Sequence, residues 1–236
     1  MIADLTQTFH TLGEDKAVRV VVLQAEGVSF SAGADLAWMQ RMAGYSAAEN
    51  LADAAGLTRL MRTLDRLAKP TVAVVQGAAY GGGVGLVACC DVVVAAETAK
   101  FCLSEVKIGL IPAAIGPYVI NAIGARQARR YFTTAEVFSA VRACEIGLVH
   151  EAVALAGLPA ARDAIVASLQ QGAPVAQAEA KALVFLCEAA RLDDALADET
   201  GRRIAGRRAS AEGREGLAAF LERRRPSWAP PTQGSP

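Results

Sequence analysis

Histidine is almost missing from this chain of 236 residues: only His10 and His150 occur. With no metal-ligand spacing around either, no metal site is expected. The five cysteines (Cys89, Cys90, Cys102, Cys144 and Cys187) are odd in number and show no Cys-x-x-Cys pair. That excludes a paired disulfide framework and fits the reduced, buried thiols of a cytoplasmic protein. Charge of one sign is lacking too, since 24 Lys and Arg balance 24 Asp and Glu. Nothing therefore points to nucleic acid or an anionic membrane as partner. The opening MIADLTQTFH has neither a positive segment nor an apolar run behind it. No apolar stretch approaches the roughly 20 residues of a membrane span. What is abundant is apolar side chain, 53% of the chain against 20% charged. A large core in one domain, or a core with an accessory piece, is expected.

Periodicity divides the chain. Ile2, Leu5, Phe9 and Leu12 recur at helical spacing. Three short β-branched runs, 18–24, 71–76 and 91–95, read as buried strands. Helices are predicted from Leu36, over 47–67 up to Lys69-Pro70, and from Gly82 to about Cys90. Past residue 115 the pattern is helical throughout: short helices over 120–140, then 159–170, 174–190, 193–207 and 211–224. This predicts an α/β core over 1–125, a helical C-terminal region over 126–228 and a disordered tail over 229–236.

Three segments combine a strand, a tight turn and polar function. Ser31-Ala32-Gly33-Ala34-Asp35-Leu36 follows the first strand, and its small residues let a ligand approach the backbone amides. Gly81-Gly82-Gly83 opens a helix, where N–H groups are left without intrahelical partners. Glu105 stands in the apolar run KFCLSEVKIGLIP, where burial would raise its pKa. Blander readings compete. The glycines could form a plain turn, Glu105 could pair with Lys100 or Lys107, and Asp35 could cap the helix at Leu36. Trp38 could wall a pocket or sit in the core. Gly83-Val84-Gly85-Leu86-Val87-Ala88 matches a dinucleotide fingerprint, but its first glycine stands too far from the strand. Ser29 and Ser31 lack both a Gly-x-Ser-x-Gly elbow and a base. The arginines at 202, 203, 207, 208 and 223–225 read as solvated helix faces, with the phosphates of a ligand as the sharper alternative.

Taken in order, SAGADL, GAAYGGG, CDVVVAAETAKFCLSEVKIGLIP, RRYF and EGREGLAAFLERRRPSW resemble the crotonase, or enoyl-CoA hydratase/isomerase, superfamily along nearly the whole chain. The resemblance implies a crotonase-type ββα spiral with a helical C-terminal region that forms a homotrimer or homohexamer. It implies an acyl-CoA substrate with CoA as carrier and no further cofactor. The Ala34 and Gly82 amides would form an oxyanion hole, and Glu105 would be the catalytic carboxylate. Ala32, Asp35, Leu36, Gly81 and Trp38 would contact CoA or the acyl chain. An enolate oxygen needs such preorganised donors, each typically worth about 3 kcal/mol of barrier.

Two departures qualify the expectation. Hydratases of the superfamily carry a second glutamate three residues after the middle glycine, where this chain has Gly85. One carboxylate alone suits a 3,2-enoyl-CoA isomerase. The wording FSAGADLAWMQRM and GGGVGLVA, however, is similar to bacterial methylglutaconyl-CoA hydratases of leucine and terpenoid breakdown. Hydration of a 2-enoyl-CoA with a branched or carboxylated chain is therefore the preferred expectation, with isomerase second. A non-catalytic CoA- or RNA-binding relative comes third. The superfamily's two opening strands and Asn-Arg-Pro loop do not precede the first helix here, so a shortened chain, a misplaced start or a weakened CoA site is also expected.

Overall fold

The β-branched runs form the spine. In the computed structural model, which describes residues 1–231, helix α1 (Ile2–Glu14) leads to strand β1 (Val21–Leu23). Helices α2 (Leu36–Met42) and α3 (Ala47–Asp65) follow, the latter opened by a Ser46–Glu49 capping box. Next come β2 (Thr71–Val75), β3 (Ala78–Tyr80), α4 (Gly82–Ala88), β4 (Val92–Ala96) and β5 (Lys100–Cys102). After α5 (Gly116–Thr134) the chain makes β6 (Phe138–Ser139), α6 (Ala140–Glu145) and β7 (Glu151–Val153). Four helices close it: α7 (Leu158–Gln171), α8 (Pro174–Ala189), α9 (Asp194–Ala209) and α10 (Ala211–Leu221).

Strands β1, β2, β4 and β7 pair in that order, all parallel, and β3, β5 and β6 form a second sheet. Each β2→β3 and β4→β5 step carries the chain from one sheet to the other. Helix α4 returns it after β3, whereas after β5 helix α5 leads first to β6 on the second sheet and α6 then returns the chain to β7, which makes a ββα spiral. The first step turns at Gly77 (φ 59°), where a Cβ would fall 1.9 Å from the Val28 carbonyl oxygen, so only glycine fits. Every residue of β2 is buried. The main core gathers Phe9, Leu64, Val75, Val84, Phe101 and Tyr131 between the layers.

The predicted strands appear as β1, β2 and β4. The expectation of helices alone past residue 115 is corrected by β6 and β7. The second of these pairs with β4, so the α/β unit does not stop at residue 125. These strands are too short to show alternation, and it is the waiting edges of the sheets that make them strands. The segment 120–140 is likewise mostly one helix, α5, kinked where Gly124 adopts φ 74°. The tail expected over 229–236 lies outside the described residues from 232 onward.

Two polar anchors fix the C-terminal helices. Asp91 Oδ2 accepts from the Thr71 amide (2.8 Å), the Thr71 hydroxyl (2.9 Å) and Lys181 Nζ (2.9 Å), tying α8 to the sheet. Thr71 is fully buried. Asp91→Ala strips acceptors from buried donors and is expected to cost about 2–4 kcal/mol. That corresponds to a fall of roughly 4–15 °C in Tm. Lys181→Met keeps the apolar stem and should cost about 1 kcal/mol. Equal, negligible losses in thermal melts of both variants would show that the anchor contributes nothing. At the other anchor, Arg19 donates to the Trp228 carbonyl (3.0 Å) and to the Gly172 carbonyl (2.6 Å). The Trp228 ring in turn covers Gly216, where a Cβ would lie 3.0 Å from it.

Candidate active site

The site is assembled by the ends of β3 and β5. Ser31 enters beside β3: its N–H donates to the Ala78 carbonyl and its own carbonyl accepts from the Tyr80 amide. The same residue packs on α4, since a Cβ at Gly83 would fall 2.6 Å from Ser31 Cβ. Ser31 is thereby held against the first turn of α4, and the exposed turn from Ala32 to Asp35 leads on from it. Gly81, just before that turn, adopts φ 51°, and its N–H donates to the Cys102 carbonyl (2.9 Å) at the end of β5. That bond brings the start of α4 to the segment carrying Glu105.

Glu105 opens a single 3-10 turn, Glu105–Ile108, which ends where Gly109 takes a left-handed conformation. Its carboxylate lies over Gly81, where a Cβ would be 3.3 Å from Oε1. Oε2 is buried and has no hydrogen-bond partner. Burial pushes the carboxyl above its ordinary range, and no charged neighbour offsets that shift. Neither Lys100 nor Lys107 makes an ion pair with Glu105 among the described residues. A half-buried carboxylate without a counter-ion suits a group that takes and returns a proton.

The donors expected opposite it are open. Neither the Ala34 nor the Gly82 amide has a protein acceptor among the described residues. Gly82 is the first residue of α4, where such a free N–H arises from helix geometry. Ala34 lies between Gly33 (φ 118°) and Asp35 on an exposed turn. Asp35 caps α2, its Oδ1 accepting from the Trp38 amide (2.7 Å), and Ala32 and Leu36 stand exposed on the same rim. Trp38 is half-buried, and its Nε1 donates to Asp53 Oδ1 (2.9 Å), bracing α2 against α3. The structure thus gathers Gly81, Gly82 and Glu105, leaves Ala34 on the exposed turn that follows Ser31, and ties the Trp38 indole to α3.

Sequence reading missed the apolar cavity of about 340 Å³ between α2 and the turn after Glu105. It is lined by Met39, Met42, Ala43, Asn50, Ile108 and Leu110. Methionines on a short amphipathic helix carry no local sign of a pocket. A larger cavity of about 590 Å³ lies elsewhere, between α4, α5 and α8, with Tyr118 and Lys181 in its wall. None of Ala34, Gly82 and Glu105 borders it, so its size does not make it the reaction site. Cys89 and Cys90 near that cavity are buried, and burial pushes the Cys90 thiol up to about 12, which makes it a poor nucleophile. His150 is structural, its Nδ1 accepting from the Val93 amide (3.0 Å). Among the described residues no group of three or more His, Cys, Asp or Glu could hold a metal ion. No helix among them is long and apolar enough to cross a membrane.

Comparison with known proteins points to one family. A family model described as enoyl-CoA hydratase/isomerase matches residues 1–231. The crystal structure of an enoyl-CoA hydratase from Shewanella pealeana superposes with a TM-score of 0.93 at 45% identity, over 96% of this chain and 85% of that one. A crotonyl-CoA hydratase of Syntrophomonas wolfei is 31% identical over 96% of this chain and 86% of its own length. Enoyl-CoA hydratase ACTT6 of Alternaria alternata is 35% identical over 92% and 71%.

Proposed function

The chain belongs to the enoyl-CoA hydratase/isomerase family, the crotonase superfamily, and from that premise we propose that it adds water reversibly to a 2-enoyl-CoA. The observation that carries the proposal is the partly buried, unpaired Glu105 carboxylate lying over Gly81, next to the free Gly82 amide. Glu105 takes a proton from water while the oxygen bonds to C3. The C2=C3 electron pair moves toward the thioester, whose oxygen becomes an enolate held by the Ala34 and Gly82 N–H groups. Glu105 then returns the proton to C2. Ala32, Asp35 and Leu36, on the exposed rim, would lie along the CoA moiety.

The apolar cavity supports a branched acyl chain better than a carboxylated one of the 3-methylglutaconyl type. Asn50 is the one polar side chain in its lining, and its amide already donates to the Tyr45 and Ser46 carbonyls. A terminal carboxylate would find no free donor there. Exposed Leu217, Phe220 and Leu221 on the last helix support assembly into a trimer or a pair of trimers.

The test is direct. Purified protein should lower the conjugated-thioester absorbance of crotonyl-CoA to the plateau of the hydration equilibrium, and should turn over 3-methylcrotonyl-CoA faster than 3-methylglutaconyl-CoA. One observation favours a second reading: with Gly85 where a second carboxylate would stand, the single acid–base group also suits a 3,2-enoyl-CoA isomerase. Gain of absorbance from a 3-enoyl-CoA, with none lost from crotonyl-CoA, would establish that reading instead. Silence with both substrates and no CoA binding would leave a non-catalytic relative.

A further inference from the structure

Position 85 is already filled by a neighbour. A Cβ built on Gly85 falls 2.2 Å from Ile115 Cγ2, 2.7 Å from Ile115 Cβ and 3.2 Å from Met61 Cε. Both neighbours are buried, Ile115 to 2% exposure and Met61 completely. Cβ contacts that short do not occur in real proteins, so any side chain at 85 must displace Ile115.

The direction in which position 85 points gives this a chemical meaning. The Gly85 amide donates to the Gly81 carbonyl (3.3 Å), so the two residues are one helical turn apart along α4. Helical Cα–Cβ bonds tilt toward the N-terminus. A long side chain at 85 would therefore rise along α4 toward Gly81, over which the Glu105 carboxylate lies. Ile115 occupies the start of that path.

We propose that Ile115 is a specificity-determining residue that closes position 85 and so confines the reaction to one-carboxylate chemistry. The inference rests on the hydratase reading. Its consequence is an exchange of bulk: shrinking residue 115 opens a route by which a glutamate at 85 reaches the reacting atoms. That glutamate could then take the proton from water as the oxygen bonds to C3, and return it to C2, without Glu105.

Two measurements decide it. In a stability cycle, Gly85→Ala alone should lower Tm by about 4 °C or more through overpacking. In the Ile115→Ala background it should cost nothing or raise Tm, because the new methyl fills the space vacated. In an activity rescue, Gly85→Glu/Ile115→Ala is placed on Glu105→Gln, which alone should abolish most turnover. The triple variant is expected to recover at least about 10-fold over Glu105→Gln in kcat on crotonyl-CoA. A folded triple variant with no recovery overturns the proposal, as does an additive stability cycle. A wild-type enzyme that hydrates no 2-enoyl-CoA defeats the hydratase reading instead, and the stability cycle then still decides whether Ile115 closes position 85.

Discussion

Glu105→Gln should lower kcat for hydration by roughly 10³-fold while leaving the fold intact. General acid–base catalysis by one positioned group contributes about 10²–10⁴-fold, and here one group performs both proton transfers. Glutamine preserves the shape over Gly81 and the packing of the 3-10 turn but can neither take nor return a proton. The same substitution has a pH signature. The active form of Glu105 is the carboxylate, and burial raises its pKa. Wild-type kcat/KM should therefore fall as pH drops through a value above that of an ordinary glutamate. Stability runs the other way. A carboxyl whose folded pKa exceeds its unfolded one contributes stability that is fully present below the unfolded pKa and is lost as pH rises through the folded pKa. Glutamine never charges, so the variant's Tm should gain on the wild type across that same rise. A variant that keeps turnover would remove Glu105 from the mechanism, and one whose Tm tracks the wild type at every pH would show that burial does not raise its pKa.

Gly82→Pro should cost roughly 10²–10³-fold in kcat, the usual consequence of deleting one oxyanion donor. A backbone N–H is rarely removable without wrecking a helix, but this one can be. Gly82 is the first residue of α4, a place where proline's fixed φ is tolerated and no intrahelical bond is lost. A Cβ added at Gly82 meets nothing within 4 Å, so Gly82→Ala is a clean control that keeps the N–H. The alanine variant should stay near wild-type activity while the proline variant loses kcat with little change in KM, because the donor acts on the enolate more than on the bound thioester. Equal activity in both would mean the thioester oxygen is held somewhere else.

The parts of this site legible beforehand were those whose meaning is local. Gly81-Gly82-Gly83 after a β-branched run announces a strand, a turn and a free N–H in adjacent residues. Glu105 announces itself as the one acidic residue in the mostly apolar run KFCLSEVKIGLIP. Asp35 likewise reads as a cap from the residues beside it. The remainder depends on partners distant along the chain. Trp38 could not be assigned because its partner, Asp53, sits on the next helix. Gly85 was visible as a missing carboxylate, yet nothing near it in sequence shows that Ile115 has taken the space. Strand β7 is Glu-Ala-Val, unremarkable until β4 offers it an edge. The cavity wall of Met39, Met42, Ile108 and Leu110 comes from two segments whose separate patterns say only amphipathic turn.

The Arg19 clasp has a consequence for how the molecule is made. Its guanidinium holds the carbonyls of Gly172 and Trp228, the second of them 209 residues further along the chain. On a ribosome the spiral can wind while synthesis continues, since β1, β2 and β4 all emerge well before Gly172 and Trp228. Arg19 nevertheless waits without its last acceptor until Trp228 has been released. Each new copy thus passes through a wound but unlatched stage. A message cut short before the codon for Trp228 would leave its product there, with a recognisable core and an open seam for proteases to find.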